Sequence, residues 1–99
     1  MENNFFHQSH VMPSGEDFYK CTAIMSQIQD FAPSDSSVRA LINKLEDGAY
    51  ETIINIKAAH GDFVASANQM DIVAALKEAK EDMMDRLTDW KIRRFKHAD

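Results

Sequence analysis

Four kinds of side chain in this sequence have the types and spacing to do chemistry. His7-x-x-His10 and His60 offer imidazoles, and Cys21 is the lone thiol. Glu78, Glu81, Asp82, Asp85 and Asp89 bring carboxylates, and Lys91, Arg93, Arg94 and Lys96 bring cations, with Trp90 and Phe95 interleaved. Structural zinc takes four Cys or His ligands, and one HxxH pair with a single thiol falls short, so no metal and no cofactor is expected. The acids Glu78/Asp82 and Glu81/Asp85 stand four apart, where like charges on a helix repel slightly. General acid–base work needs a pocket that moves a carboxyl pKa. A solvated helix face offers none, so the chain is not expected to be an enzyme. Such an acidic face suits a basic protein partner instead. Cys21 falls on an apolar stripe beside only Lys20, which reads as a buried, inert thiol. The cationic group can contact RNA phosphates with aromatic support. The plainer reading is a helix end whose bases complement its negative dipole terminus.

The elements that must position these residues follow from periodicity. Residues 5–11 read as a short first strand. Pro13-Ser14-Gly15-Glu16-Asp17 reads as a helix start, with Ser14 able to accept a first-turn N–H and acids at the positive dipole end. Phe18, Cys21, Met25 and Ile28 recur at spacings of three and four, flanked by Ile24 and Phe31, which predicts one buried helix face. Pro33 closes that helix, because the residue before a proline avoids the α region. Ser36 to Leu45 reads as a strand ending in Glu46-Asp47-Gly48, where Gly48 can take a positive φ. Tyr50 to Ala58 alternates as a strand, with Tyr50, Thr52, Ile54, Ile56 and Ala58 on one face. His60-Gly61-Asp62 reads as a second turn, and Phe63 to Ala67 as a third short strand of this part. A long helix is expected from about Met70 or Asp71 to about Phe95. Ile72, Leu76, Ala79, Met83, Leu87 and Trp90 trace its apolar side. Met25, Met83 and Met84 read as core filler.

The predicted fold class is α+β in the order β-α-β-β-β-α, a four-stranded sheet with two helices packed on one face. The 99 residues are expected to form a single domain over 1–99, with a flexible C-terminal tip at about 96–99. The longest apolar run, Ile72 to Leu76, is far short of a membrane span. The first residues lack the basic and long apolar regions of a signal peptide, and one cysteine fits a reducing compartment. A cytoplasmic protein that enters no membrane is therefore expected. The net charge is −5, and it is unevenly placed: −4 over residues 1–36, −1 over 37–69 and zero over 70–99. In that last third the bases collect at the end. Bulk acidity argues against nucleic acid, and no DNA partner is expected; the basic tip argues for a local RNA contact.

From Val38 onward the order of segments resembles the short ribosome hibernation-promoting factors, also called ribosome-associated inhibitor, S30EA or sigma-54 modulation proteins. Three stretches carry the likeness. They are Tyr50-Glu51-Thr52-Ile53-Ile54-Asn55-Ile56 before a His-Gly turn, Phe63-Val64-Ala65-Ser66-Ala67, and Met70-Asp71-Ile72-Val73-Ala74-Ala75-Leu76. The second is similar to a family strand ending in Ala-Ser-Ala. The third is similar to a family helix that opens with an Asp, an apolar pair and Ala-Ala-Ile. The ungapped likeness covers about residues 38–91.

The resemblance implies a fold akin to double-stranded-RNA-binding domains. It also implies docking on the small ribosomal subunit and its 16S-type RNA, in the channel used by messenger and transfer RNA, so that translation is inhibited under stress without any chemistry. The chain departs from the family at the RNA-contacting positions. The family places several bases along the first helix, whereas this one has Lys20. Where the family's second helix carries bases, this chain has Asp82, Asp85, Thr88 and Asp89, with Arg86 and Lys91 near the pattern. RNA affinity comes largely from Lys and Arg contacts to phosphates. The expected RNA-binding residues are therefore Lys91, Arg93, Arg94 and Lys96, with Arg86 and Lys20. The alternative is a protein-interaction module of the same fold that has lost rRNA binding and uses its acidic second-helix face.

Overall fold

The computed structural model describes residues 5–59 and 61–97, with side chains as far as Arg93. The elements run α1 (Gly15–Phe31), β1 (Ser37–Lys44), β2 (Tyr50–Ala58), β3 (Gly61–Gln69) and α2 (Ile72–His97). The strands form one antiparallel sheet in the order β1-β2-β3. No helix of the described residues is long and apolar enough to cross a membrane.

The sheet therefore has three strands, and the order is α-β-β-β-α. The expected first strand at residues 5–11 is instead a turn, closed by the Ser9 amide donating to the Phe6 carbonyl at 3.0 Å. A strand would send the adjacent Phe5 and Phe6 to opposite faces. The turn lets both enter the core, where they are 4 % and 1 % exposed. This segment still lies along β1. The Ala40 amide donates to the Phe5 carbonyl at 2.9 Å, and the Val11 amide to the Ile42 carbonyl at 3.0 Å. The Ile42 amide donates to Ser9 Oγ at 2.8 Å, and that hydroxyl donates on to the Val11 carbonyl at 2.7 Å.

Helix α1 begins after Ser14, whose backbone is extended as an N-cap requires, but its hydroxyl caps nothing. The Ser14 carbonyl accepts from the Asp17 amide at 3.1 Å instead. Ala32, extended in front of Pro33, ends the helix. Cys21, Ile24, Met25 and Ile28 form its buried stripe, whereas Phe18 stays partly exposed against the Phe6 ring. Helix α2 has a true side-chain cap: Asp71 Oδ2 accepts from the Ala74 amide at 2.9 Å.

Gly48 turns β1 into β2 with φ +93°, a conformation L-residues avoid. The second turn lies earlier than expected. Gly61 and Asp62 already belong to β3, opposite Ala58 and Lys57, and His60 lies outside the described residues. Alternation does the rest. Val38, Ala40, Ile42, Thr52, Ile54, Ile56 and Ala65 face the helices. They pack on α1 and on Ile72, Leu76, Ala79, Met83 and Leu87 of α2. Of the expected flexible tip, residues 96 and 97 belong to α2, and 98–99 lie outside the described residues.

Candidate functional site

The end of α2 gathers the expected cations but gives them different work. Lys91 turns toward α1: its Nζ donates to the Phe31 carbonyl at 2.9 Å and sits 3.7 Å from the centroid of the Phe31 ring. A cation there satisfies a carbonyl at the last turn of α1, which holds no base of its own. Lys91 is thus a tie between the two helices. Lys80 makes a second tie, donating to Gln27 Oε1 of α1 at 2.7 Å.

The opposite flank of α2 lies beside β3. There Arg86 pairs with Asp82 at 3.2 Å, and Arg93 pairs with Asp89. Two of the three acids that stand where the resemblance leads one to expect bases, Asp82 and Asp89, are thus the partners of Arg86 and Arg93. All four side chains keep much of their surface in water, so the pairs are screened and contribute little to stability. Phe63 of β3 meets Trp90 of α2 edge-to-face, with centroids 5.8 Å apart. Phe63, Trp90, Arg86, Asp89 and Arg93 line an open hollow of about 240 Å³, aromatic at its floor and charged at its rim. Lys20 is exposed on α1 and has no partner among the described residues. The side chains of Arg94, Phe95 and Lys96 lie outside the described residues; α2 carries their backbone past Trp90.

The remaining chemistry-bearing residues stay apart. Among the described residues no group of three His, Cys, Asp or Glu could hold a metal ion. His7 and His10 are exposed, and His60 lies outside the described residues. Glu78 accepts from Gln69 Nε2 at 2.7 Å, which ties the start of α2 to the end of β3. Cys21 is fully buried, and its thiol is pushed up from 9.0 to about 11, chiefly by burial and further by Asp17 and Asp71. A thiol held protonated at neutral pH is a poor nucleophile. Because the folded value is raised, this group favours the fold below about pH 9 and withdraws that support as pH climbs toward 11.

The expectation from sequence misses the Phe63–Trp90 contact. A signal is there: Phe63 alternates inward at the start of β3 and Trp90 closes the apolar stripe of α2, so both mark the same end of one layer interface.

Two helices on one face of a three-stranded antiparallel sheet define an α+β domain whose fold recurs among solved structures. A ribosomal subunit interface protein from Coxiella burnetii superposes with a TM-score of 0.69 at 14 % identity, over 83 % of this chain and 89 % of that one. The N-terminal domain of Protein Y from Thermus thermophilus superposes with a TM-score of 0.59 at 10 % identity, over 77 % and 84 %. The resemblance first met in the sequence thus holds at the level of the fold. No protein-family model matches the chain, and no curated protein matches it significantly.

Proposed function

We propose that this chain is a ribosome-associated, cytoplasmic translation inhibitor of the short hibernation type, docking on the small subunit and occluding the channel for messenger and transfer RNA. The observation that supports this most is the shared fold across 83 % of the chain. The Phe63–Ala67 strand and the Asp71–Leu76 helix start fall in β3 and at the head of α2, where the resemblance puts them. In this reading the RNA contacts come from Arg93, Arg94 and Lys96, where α2 runs on past Trp90, with Arg86 and Lys20 as outlying cations. Lys91 serves by holding α1 against α2. Arginine forks suit bidentate phosphate contact, and an RNA phosphate would compete with Asp89 for Arg93.

One observation favours a second reading, the protein-interaction module. Glu81 and Asp85 are exposed on the outer side of α2 without a partner among the described residues. A basic protein would find them available.

Cosedimentation with isolated small subunits across a salt series separates the two. The native chain should pellet with subunits at low salt and lose affinity as salt rises. The R93E/R94E variant should bind more weakly, its log–log salt slope shallower by about 0.7–0.9 for each RNA phosphate it no longer neutralises. Its melting temperature should barely move, since the site is a helix end. Equal binding and equal slope for both proteins would remove the tip as the RNA contact. A native chain that ignores subunits yet holds one basic protein after nuclease treatment would establish the second reading instead.

A further inference from the structure

Backbone hydrogen bonding in an antiparallel sheet alternates along each strand. The Leu45 amide donates to the Ala49 carbonyl, so the odd-numbered residues of β2 serve β1 and its even-numbered residues serve β3. On β3 the partners of those even residues are Gly61, Phe63, Ala65, Ala67 and Gln69. Asp62, Val64, Ser66 and Asn68 therefore aim their N–H and C=O groups away from the sheet, along an edge that no described strand covers. Proteins normally blunt such an edge with charge, proline or a bulge. From Phe63 to Gln69 there is no charged residue and no proline, and Val64 is 49 % exposed.

The flank of α2 beside this edge carries Asp82, Arg86, Asp89 and Arg93, spaced four, three and four apart, so they share one side of the helix. Their signs alternate. Turned end for end, the stripe exchanges every sign for its opposite, so it is complementary to an antiparallel copy of itself. Asp82 then faces a second copy's Arg93, and Arg86 a second copy's Asp89. The pivot falls between Leu87 and Thr88.

Two contacts align the helix with the strand. Phe63 meets Trp90, and Gln69 bonds Glu78, so α2 runs antiparallel to β3. Twelve helical residues, about 18 Å, there match six strand residues, about 20 Å. By that scale the pivot of the stripe is level with Val64. A two-fold axis through Val64 also gives a sound ladder: Val64 pairs with its own copy, and Asp62 pairs with Ser66, with no like charges opposed. One axis satisfies both the strand edge and the helix flank.

We propose that β3 and this flank of α2 bind a second copy of the chain about a two-fold axis beside Val64, joining two three-stranded sheets into one of six strands. The interface is isologous, as a closed dimer requires. Its ion pairs are exposed and each chain carries −5, so association is reversible and sensitive to salt.

Sedimentation velocity on the full chain over a concentration series tests this. A dimer should grow in with concentration. R86D/R93D makes the stripe wholly acidic and D82R/D89R makes it wholly basic. Each alone should weaken self-association by about tenfold or more, equivalent to about 1.4 kcal/mol, and an equimolar mixture should recover a heterodimer. Val64→Pro, at an outward N–H where an edge strand tolerates proline, should stay folded by circular dichroism and lose the dimer. A native chain that stays monomeric up to about 1 mM overturns the proposal. So does a charge-reversed pair that fails to associate on mixing, or a folded Val64→Pro variant that dimerises like the native chain.

Discussion

The two edges of the sheet are treated in opposite ways. Along β1, the outward groups of Ala40 and Ile42 are met by Phe5, Ser9 and Val11, a turn that satisfies the edge without being a strand. Along β3, the outward groups of Val64 and Ser66 meet no part of the described chain. Pairing with an edge needs only donors and acceptors at the right height. Whether a segment becomes a strand depends on where its side chains must go. Phe5 and Phe6 both belong in the core, so the covering segment curls. Among the described residues no such segment reaches the β3 edge, and Phe63 of β3 lies beside α2's charged flank.

The largest effect expected from breaking this contrast comes from Phe6→Ala. Phe6 is 1 % exposed and packs beside Phe5 and Phe18. Removing a buried ring of this size costs about 3–5 kcal/mol, which for a domain of this length lowers the melting temperature by well over ~10 °C at about 4–8 °C per kcal/mol. It should also loosen the cover and bare β1, so amides 40 and 42 should exchange hydrogen sooner than the central amides of β2. A variant that melts within a few degrees of the native chain would show that the segment does not anchor the edge through Phe6.

Ser9→Ala sharpens the same comparison at smaller scale. The hydroxyl both accepts from the Ile42 amide and donates to the Val11 carbonyl. Its loss strands two backbone groups at a partly buried position, for about 1–3 kcal/mol. Equilibrium urea denaturation should show a lower midpoint at unchanged slope. No change in midpoint would mean that water replaces the hydroxyl at no cost.

Much of the layer structure is legible in the sequence because burial imposes a period. Tyr50–Ala58, the inward face of β2, and the stripe from Ile72 to Trp90 read directly from alternation and from the three-four spacing. Periodicity sets Phe18 too deep because the stripe marks a helix face, while burial depends on what sits across from it; the Phe6 ring meets Phe18 and leaves it partly exposed. The curled segment at 5–11 reads as a strand because a short apolar run carries no information about its hydrogen-bond partners. The cations of the tip are legible as residue types and not as roles. Lys91 reaches Phe31, sixty residues earlier in the chain. No local pattern foretells that contact. The pairing of Arg86 and Arg93 with acids four residues earlier is open to reading, since that spacing alone places the partners together.

The smallest expected effect concerns the strand both edges share. Thr52 is wholly buried in β2, between Ile42 and Ala67, and its Oγ1 has no hydrogen-bond partner among the described residues. A hydroxyl taken from water and left unpaired is a cost the fold carries. Thr52→Val keeps the β-branched shape, so the strand geometry and the neighbouring contacts persist while the unpaired oxygen is replaced by a methyl group. When a polar group is already unsatisfied, its removal breaks no bond and recovers part of a desolvation penalty of about 1–3 kcal/mol. Thr52→Val should thus leave stability unchanged or raise it by up to ~2 kcal/mol, read as a melting temperature equal to or above the native value. The exchange rates of the outward β1 and β3 amides should keep their native ratio, because the substitution acts at the centre and favours neither edge. Destabilisation by more than ~1 kcal/mol would show that Oγ1 is hydrogen-bonded in solution, and a changed ratio would show that β2 couples one edge more tightly than the other.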